Sequence, residues 1–75
     1  MGKLAGISGK EAIKKFRRVG YEVTRQLGSH VRLKHSCNNS RQPLSVPLHK
    51  ELKVGLLHQL IKDAGLSVDE FLELE

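Results

Sequence analysis

Gly28-Ser29-His30 is the stretch with the clearest chemical capacity in this chain of 75 residues. Imidazole takes or gives a proton near neutrality, because its ordinary pKa is about 6.5. Arg32 and Lys34 follow His30 at alternate positions. Alternate residues of a strand share one face, so the imidazole lies in line with two cations. That row suits a phosphodiester: the cations bind non-bridging oxygens, Arg with the better fork geometry, while the imidazole moves protons. RNA carries its own nucleophile, the 2′-hydroxyl. Its cleavage needs a base, an acid and positive charge for the phosphorane, but no activated water. Arg25, near the turn, is a further cation. Ser29 is placed to orient His30 or to contact phosphate, and Gly28 supplies the positive φ of a tight turn.

The remaining reactive side chains form no competing centre. His35 stands five residues from His30, an odd step that points it to the opposite, core-facing side of a regular strand. His49 ends a third strand, where it is structural or exposed, with a second proton transfer as its sharper alternative. His58 sits beside a leucine face and reads as partly buried. Four histidines and one cysteine show no C-x₂-C or H-x₃-H spacing, so no metal or other cofactor is expected. Cys37 has no partner for an internal disulfide and fits a reducing cytosol.

The elements that must position His30 are legible in outline. Ser8-Gly9-Lys10-Glu11 is a capping box. It opens a helix over about residues 9 to 19, with Ala12, Ile13, Phe16 and Val19 on its apolar face and Gly20 as its stop. Lys10, Lys14, Lys15, Arg17 and Arg18 take the solvent side. Residues 21–26 and 30–35 predict two strands around a turn at Leu27-Gly28-Ser29, with Val31 and Leu33 inward. Residues 36–41 predict a polar loop. Residues 42–48 predict a third strand, whose Pro43 and Pro47 suit an edge or the strand ends. A second helix over about 54–64 carries Leu56, Leu57, Leu60, Ile61 and Ala64 and stops at Gly65. Ser67-Val68-Asp69-Glu70 repeats the capping box and opens a short last helix with Phe71, Leu72 and Leu74.

The expected architecture is α+β, a single domain over 1–75 in the order α-β-β-β-α with a short C-terminal helix. A three-stranded antiparallel sheet would carry both main helices on one face and leave His30, Arg32 and Lys34 on the other. This is the order of the double-stranded-RNA-binding fold. No apolar run approaches the roughly 20 residues of a membrane span, so a cytoplasmic protein is expected.

Charge is divided unevenly. The net charge is +5. Residues 1–35 hold nine Lys/Arg against two acids, a balance of +7, and residues 36–75 hold four against six, −2. A basic half suits a polyanion, and Lys10 and Lys14 on the first helix are candidates for RNA contact beside Arg25, Ser29, Arg32 and Lys34. The same helix face also suits an acidic protein partner. From the residues alone, a non-catalytic RNA-binding module using this basic face fits as well as an enzyme does.

The chain also resembles a known family. Ser8-Gly9-Lys10-Glu11 with Gly20-Tyr21 is similar to its S-G-K-E opening and G-[FY] helix exit, and Arg25-Gln26-x-Gly28-Ser29-His30 to its R-Q-x-G-S-H segment. Val46-Pro47-Leu48-His49, Lys53-x-Gly55-x-Leu57 and Ile61-Lys62-x-Ala64-Gly65-Leu66-Ser67 continue the likeness, ending with Glu70-Phe71-Leu72. The family is the HicA-type, or YcfA-like, mRNA interferase toxins. Ser36-Cys37-Asn38 departs from its pattern, which carries a Pro or Gly soon after the second strand. The resemblance implies a double-stranded-RNA-binding-like fold, cleavage of mRNA independent of the ribosome, and neutralisation by a HicB-like antitoxin in a type II pair. It also implies that His30 is catalytic.

Overall fold

Ser8 caps helix α1 (Gly9–Arg18) in the computed structural model, which describes residues 4–37 and 41–74. Its hydroxyl accepts the Glu11 N–H at 3.1 Å, and the Glu11 carboxylate accepts the Ser8 N–H at 3.2 Å. Two of the helix's orphan amide donors are thereby satisfied. Ala12 and Phe16 are buried, with Ile13 and Val19 packed at the margin. Lys15 departs from the expected solvent side. It is half-buried, its Nζ donates to the Leu74 carbonyl, and it lies 5.6 Å from the centroid of the Phe71 ring. Its charge therefore tethers the C-terminal helix.

Strands β1 (Tyr21–Leu27), β2 (His30–His35) and β3 (Leu44–Pro47) form one antiparallel sheet in the order β1-β2-β3. The first turn is tighter than expected. Leu27 is the last residue of β1, opposite His30, which leaves a two-residue loop, Gly28-Ser29. Gly28 has φ +60° and no other residue type in the described chain has a positive φ, so the turn follows the II′ pattern. β3 is an edge strand, shorter than 42–48, with Pro43 before it and Pro47 closing it. Residues 38–40 of the expected loop lie outside the described residues.

The central strand alternates cleanly. Val31 and Leu33 are 4% and 0% exposed, and their partners Val46 and Leu44 are equally buried. Helix α2 (Val54–Asp63) covers this inner face with Leu57, Leu60 and Ile61, and Ala64 follows at its C-cap. Leu56 and His58 correct the expected pattern, since both are exposed. The set 57, 60, 61, 64 is one helical stripe, and its neighbours at 56 and 58 are turned about 100° away on either side. Helix α3 (Val68–Glu73) has its own capping box, and its Phe71 packs against Phe16 with centroids 5.1 Å apart. Tyr21 is buried beside them, its hydroxyl donating to the Gln42 carbonyl at 2.7 Å, and burial pushes its pKa up. Both main helices lie on one face of the sheet, in the α-β-β-β-α order expected, with α3 added.

The N-terminus of α1 docks against the end of β3. Gly9 donates to the His49 carbonyl at 3.0 Å, and a Cβ at Gly9 would lie 2.0 Å from the Pro47 oxygen. Only glycine permits this approach. Gly55, by contrast, stands in α2 with nothing within 4 Å of a built Cβ.

Two predictions follow from these contacts. Gly9→Ala should destabilise the protein by about 1–3 kcal/mol through overpacking, while Gly55→Ala should stabilise it by about 0.5–1 kcal/mol through helix propensity. Urea denaturation of both variants measures the difference, and equal midpoints would contradict it. Acid should also weaken the α3 cap. The Ser67 backbone N–H, then its hydroxyl, hold the Glu70 carboxyl below its ordinary 4.5. A lowered native pKa contributes stability that is present above the unfolded value and lost as pH falls through the native one. An NMR titration should therefore show the Ser67 amide shifting with a midpoint below 4.5; a midpoint at or above it would mean an open box.

Candidate functional site

The open face of the sheet is built by β2 and the residues opposite it. His30 stands across from Leu27 and Pro47, Arg32 across from Arg25 and Ser45, and Lys34 across from Glu22. Directly opposed residues of an antiparallel pair share a face. Arg25, Leu27, His30, Arg32 and Ser45 line a cleft of about 350 Å³.

Arg25 reaches this cleft because β1 contains a bulge. Val23 pairs with Leu33 and Arg25 with Arg32, so Thr24 is the extra residue. Without it, strict alternation from buried Tyr21 would point Arg25 and Leu27 to the inner face. The bulge turns both to the open face, and the Thr24 hydroxyl, donating to the Arg32 carbonyl at 3.3 Å, spans it. Two guanidinium groups thus come from directly opposed residues of the cleft that holds the imidazole, and no carboxylate lines it. Like charges opposed in this way repel, and an anion between them relieves the repulsion. Leu27 adds a large apolar side chain that is 63% exposed.

The other candidate residues are distributed differently. Lys34 is on the same face but two pairs farther along, beside Glu22 and outside the cleft. Ser29 sits in the turn, and its carbonyl accepts the Leu48 N–H at 2.6 Å, tying the turn to the exit of β3. Lys10 lines a separate groove of about 480 Å³ with Ser8, Leu48, His49 and Lys50. Lys14 lines a groove of about 620 Å³ on α1 with Lys10, Arg17 and Arg18. The structure therefore gathers Arg25, His30 and Arg32, and places Lys10 and Lys14 elsewhere.

His35 faces inward as expected. Its Nε2 lies 2.7 Å from the Val19 carbonyl and its Nδ1 accepts the Cys37 N–H at 3.2 Å. A carbonyl requires a donor and an amide an acceptor, so the ring is held as the Nε2–H tautomer. Its edge meets Tyr21, with centroids 5.2 Å apart. Cys37 is exposed. Among the described residues no three His, Cys, Asp or Glu side chains form a group able to hold a metal ion. Leu27 and Ser45 are the cleft residues that the sequence did not single out. The hairpin register would have found Leu27, once the turn is counted as two residues, whereas Ser45 is placed by the β2–β3 pairing.

Residues 9–66, from the start of α1 through α2, match the family model for the HicA toxin of bacterial toxin-antitoxin systems. No curated protein matches the chain.

The geometry separates the two strand histidines. Replacing exposed His30 by Ala should change stability by no more than about 0.5 kcal/mol. His35→Ala should cost about 1–3 kcal/mol, because it leaves the Val19 carbonyl and the Cys37 amide without their partner. Thermal unfolding of both variants tests this, and a large loss in His30→Ala would mean that His30 has a structural role.

Proposed function

Because the chain belongs to the HicA toxin family, we propose that this toxin is an mRNA endonuclease and that His30 is its general acid/base. The observation that carries the reading is the cleft in which His30 shares one open face with Arg25 and Arg32. RNA laid across that face presents a phosphate to the guanidinium pair and its 2′-hydroxyl or 5′-oxygen to the imidazole.

The reaction balances without an added reactant. The 2′-oxygen attacks phosphorus as a base removes its proton, and the bond from phosphorus to the 5′-oxygen breaks as an acid protonates the leaving group. His30 carries one of these transfers, a role that contributes about 10²- to 10⁴-fold. Arg25 and Arg32 stabilise the charge that develops on the non-bridging oxygens, which is where such sites supply most of their rate. Lys34 continues the cationic face along the same strand, and Ser29 holds the turn that presents His30. No metal is required by this chemistry, because the nucleophile belongs to the substrate. The open face admits a polymer passing through, as an endonuclease acting within mRNA needs.

In this reading mRNA in the cytoplasm is the substrate, and a HicB-like antitoxin of a type II pair is the partner that holds the activity in check. Among the described residues no helix is long and apolar enough to cross a membrane.

The test is cleavage of a long single-stranded RNA by purified protein in EDTA, wild type beside His30→Ala, with the fold of both verified. The wild type should cleave, and the variant should be slower by about 10²- to 10⁴-fold. Equal cleavage by the two would remove His30 from the mechanism. Cleavage abolished by EDTA and restored by a divalent ion would overturn metal independence. RNA bound but left intact by the wild type would make the protein a binding module.

A further inference from the structure

The four cations on the outer face of α1 are not accounted for by the His30 cleft. Lys10, Lys14, Arg17 and Arg18 stand at i, i+4, i+7 and i+8, one stripe of a helix, and line a common groove with Ile13 at its edge. All four are exposed. The one acid in the groove, Glu11, is turned back on Ser8, accepting from both its N–H and its hydroxyl at 3.2 Å. Glu51, near the next groove, likewise accepts the Gly6 N–H at 3.0 Å. Both carboxylates are thus engaged in holding backbone.

Two contacts bring this groove close to the cleft. Lys10 lines both the α1 groove and the neighbouring one, which adds His49 and Lys50. That second groove contains Leu48, whose N–H is held by the Ser29 carbonyl, one residue before His30. Leu48, His49 and Lys50 thus follow Pro47, the residue opposite His30, and Lys10 joins their groove to that of α1.

We propose that this path is an RNA track: a substrate strand cut at His30 continues past His49 and Lys50 into the α1 groove, where Lys14, Arg17 and Arg18 bind its phosphates. The inference rests on the RNA reading of the His30 site. Lys10 and Arg18 are separated by about 12 Å of helix rise, enough for more than one backbone phosphate of a bound strand. An acidic protein segment has the right charge for the α1 groove, but the nearness of His49 and Lys50 to the His30 turn favours one polymer reaching both. Long RNA should accordingly be a better substrate than RNA that fills the cleft alone.

The test compares single-stranded RNAs of about 30 and about 6 nucleotides. Affinity is measured in a His30→Ala background, where RNA stays intact, with and without Arg17→Ala and Arg18→Ala. Both arginines are exposed helix positions where Ala is well tolerated, and a melting curve verifies the fold. The double substitution should weaken binding of the long RNA about tenfold at moderate salt. It should also lower the slope of log affinity against log salt by about 1.4, near 0.7 for each lost phosphate contact. Binding and, with His30 present, cleavage of the short RNA should be unchanged, and Arg17→Lys with Arg18→Lys should restore most of the affinity.

Equal long-RNA affinity with and without the arginines would overturn the track while leaving the His30 site intact. An equal loss on both lengths would overturn it too, as would an effect confined to binding of the antitoxin. Long RNA that is bound through the arginines but not cut by the His30 protein would keep the track and remove the nuclease. No binding of either RNA would remove both.

Discussion

Burial of Val31 and Leu33 beneath the helices is the constraint on which the rest of the molecule depends. Strand β2 is paired on both sides, so its register also sets those of β1 and β3. A slip of one residue would expose two aliphatic side chains and bury His30, Arg32 and Lys34. Two core side chains are worth about 1.5–3 kcal/mol each, a large share of the stability of so small a domain. The apolar alternation therefore holds the imidazole and its cations on the open face.

The bulge at Thr24 adds the second cation by a different principle. Alternation alone would have sent Arg25 into the core, where an unpaired guanidinium is costly to bury. One extra residue reverses the facing of β1 from that point on, so Arg25 meets Arg32 and Leu27 meets His30. Bulges are common beside functional sites because they re-aim side chains in this way. Here it turns a one-stranded row of charge into a two-stranded cleft.

What was legible in the chain was whatever local chemistry determines. Ser8 with Glu11, and Ser67 with Glu70, mark helix starts because the caps satisfy neighbouring amides. Val31 and Leu33 mark the inner face because alternation and burial coincide. His35 was legible as structural from its odd step alone. The misplacements arose where tertiary packing decides. Leu56 and His58 flank the buried stripe of α2, and leucine content alone does not say which side the sheet covers. Lys15 serves Phe71 and Leu74, 56 and 59 residues later in the chain. The bulge needs the partner strand to define it, and the nearness of the α1 groove to the His30 cleft needs the close approach of Gly9 to Pro47, which no spacing announces.

If the open face cleaves RNA by proton transfer at the RNA's own 2′-hydroxyl, the chemistry of the cut ends records it. Products formed by the wild-type protein in EDTA are analysed for end groups, beside a substrate with the 2′-hydroxyls methylated. Attack by the 2′-oxygen leaves 2′,3′-cyclic phosphate and 5′-hydroxyl ends, with the methylated RNA intact. Ends carrying 3′-hydroxyl and 5′-phosphate, or cutting of the methylated strand, would mean that water is the nucleophile and would contradict attack by the 2′-oxygen.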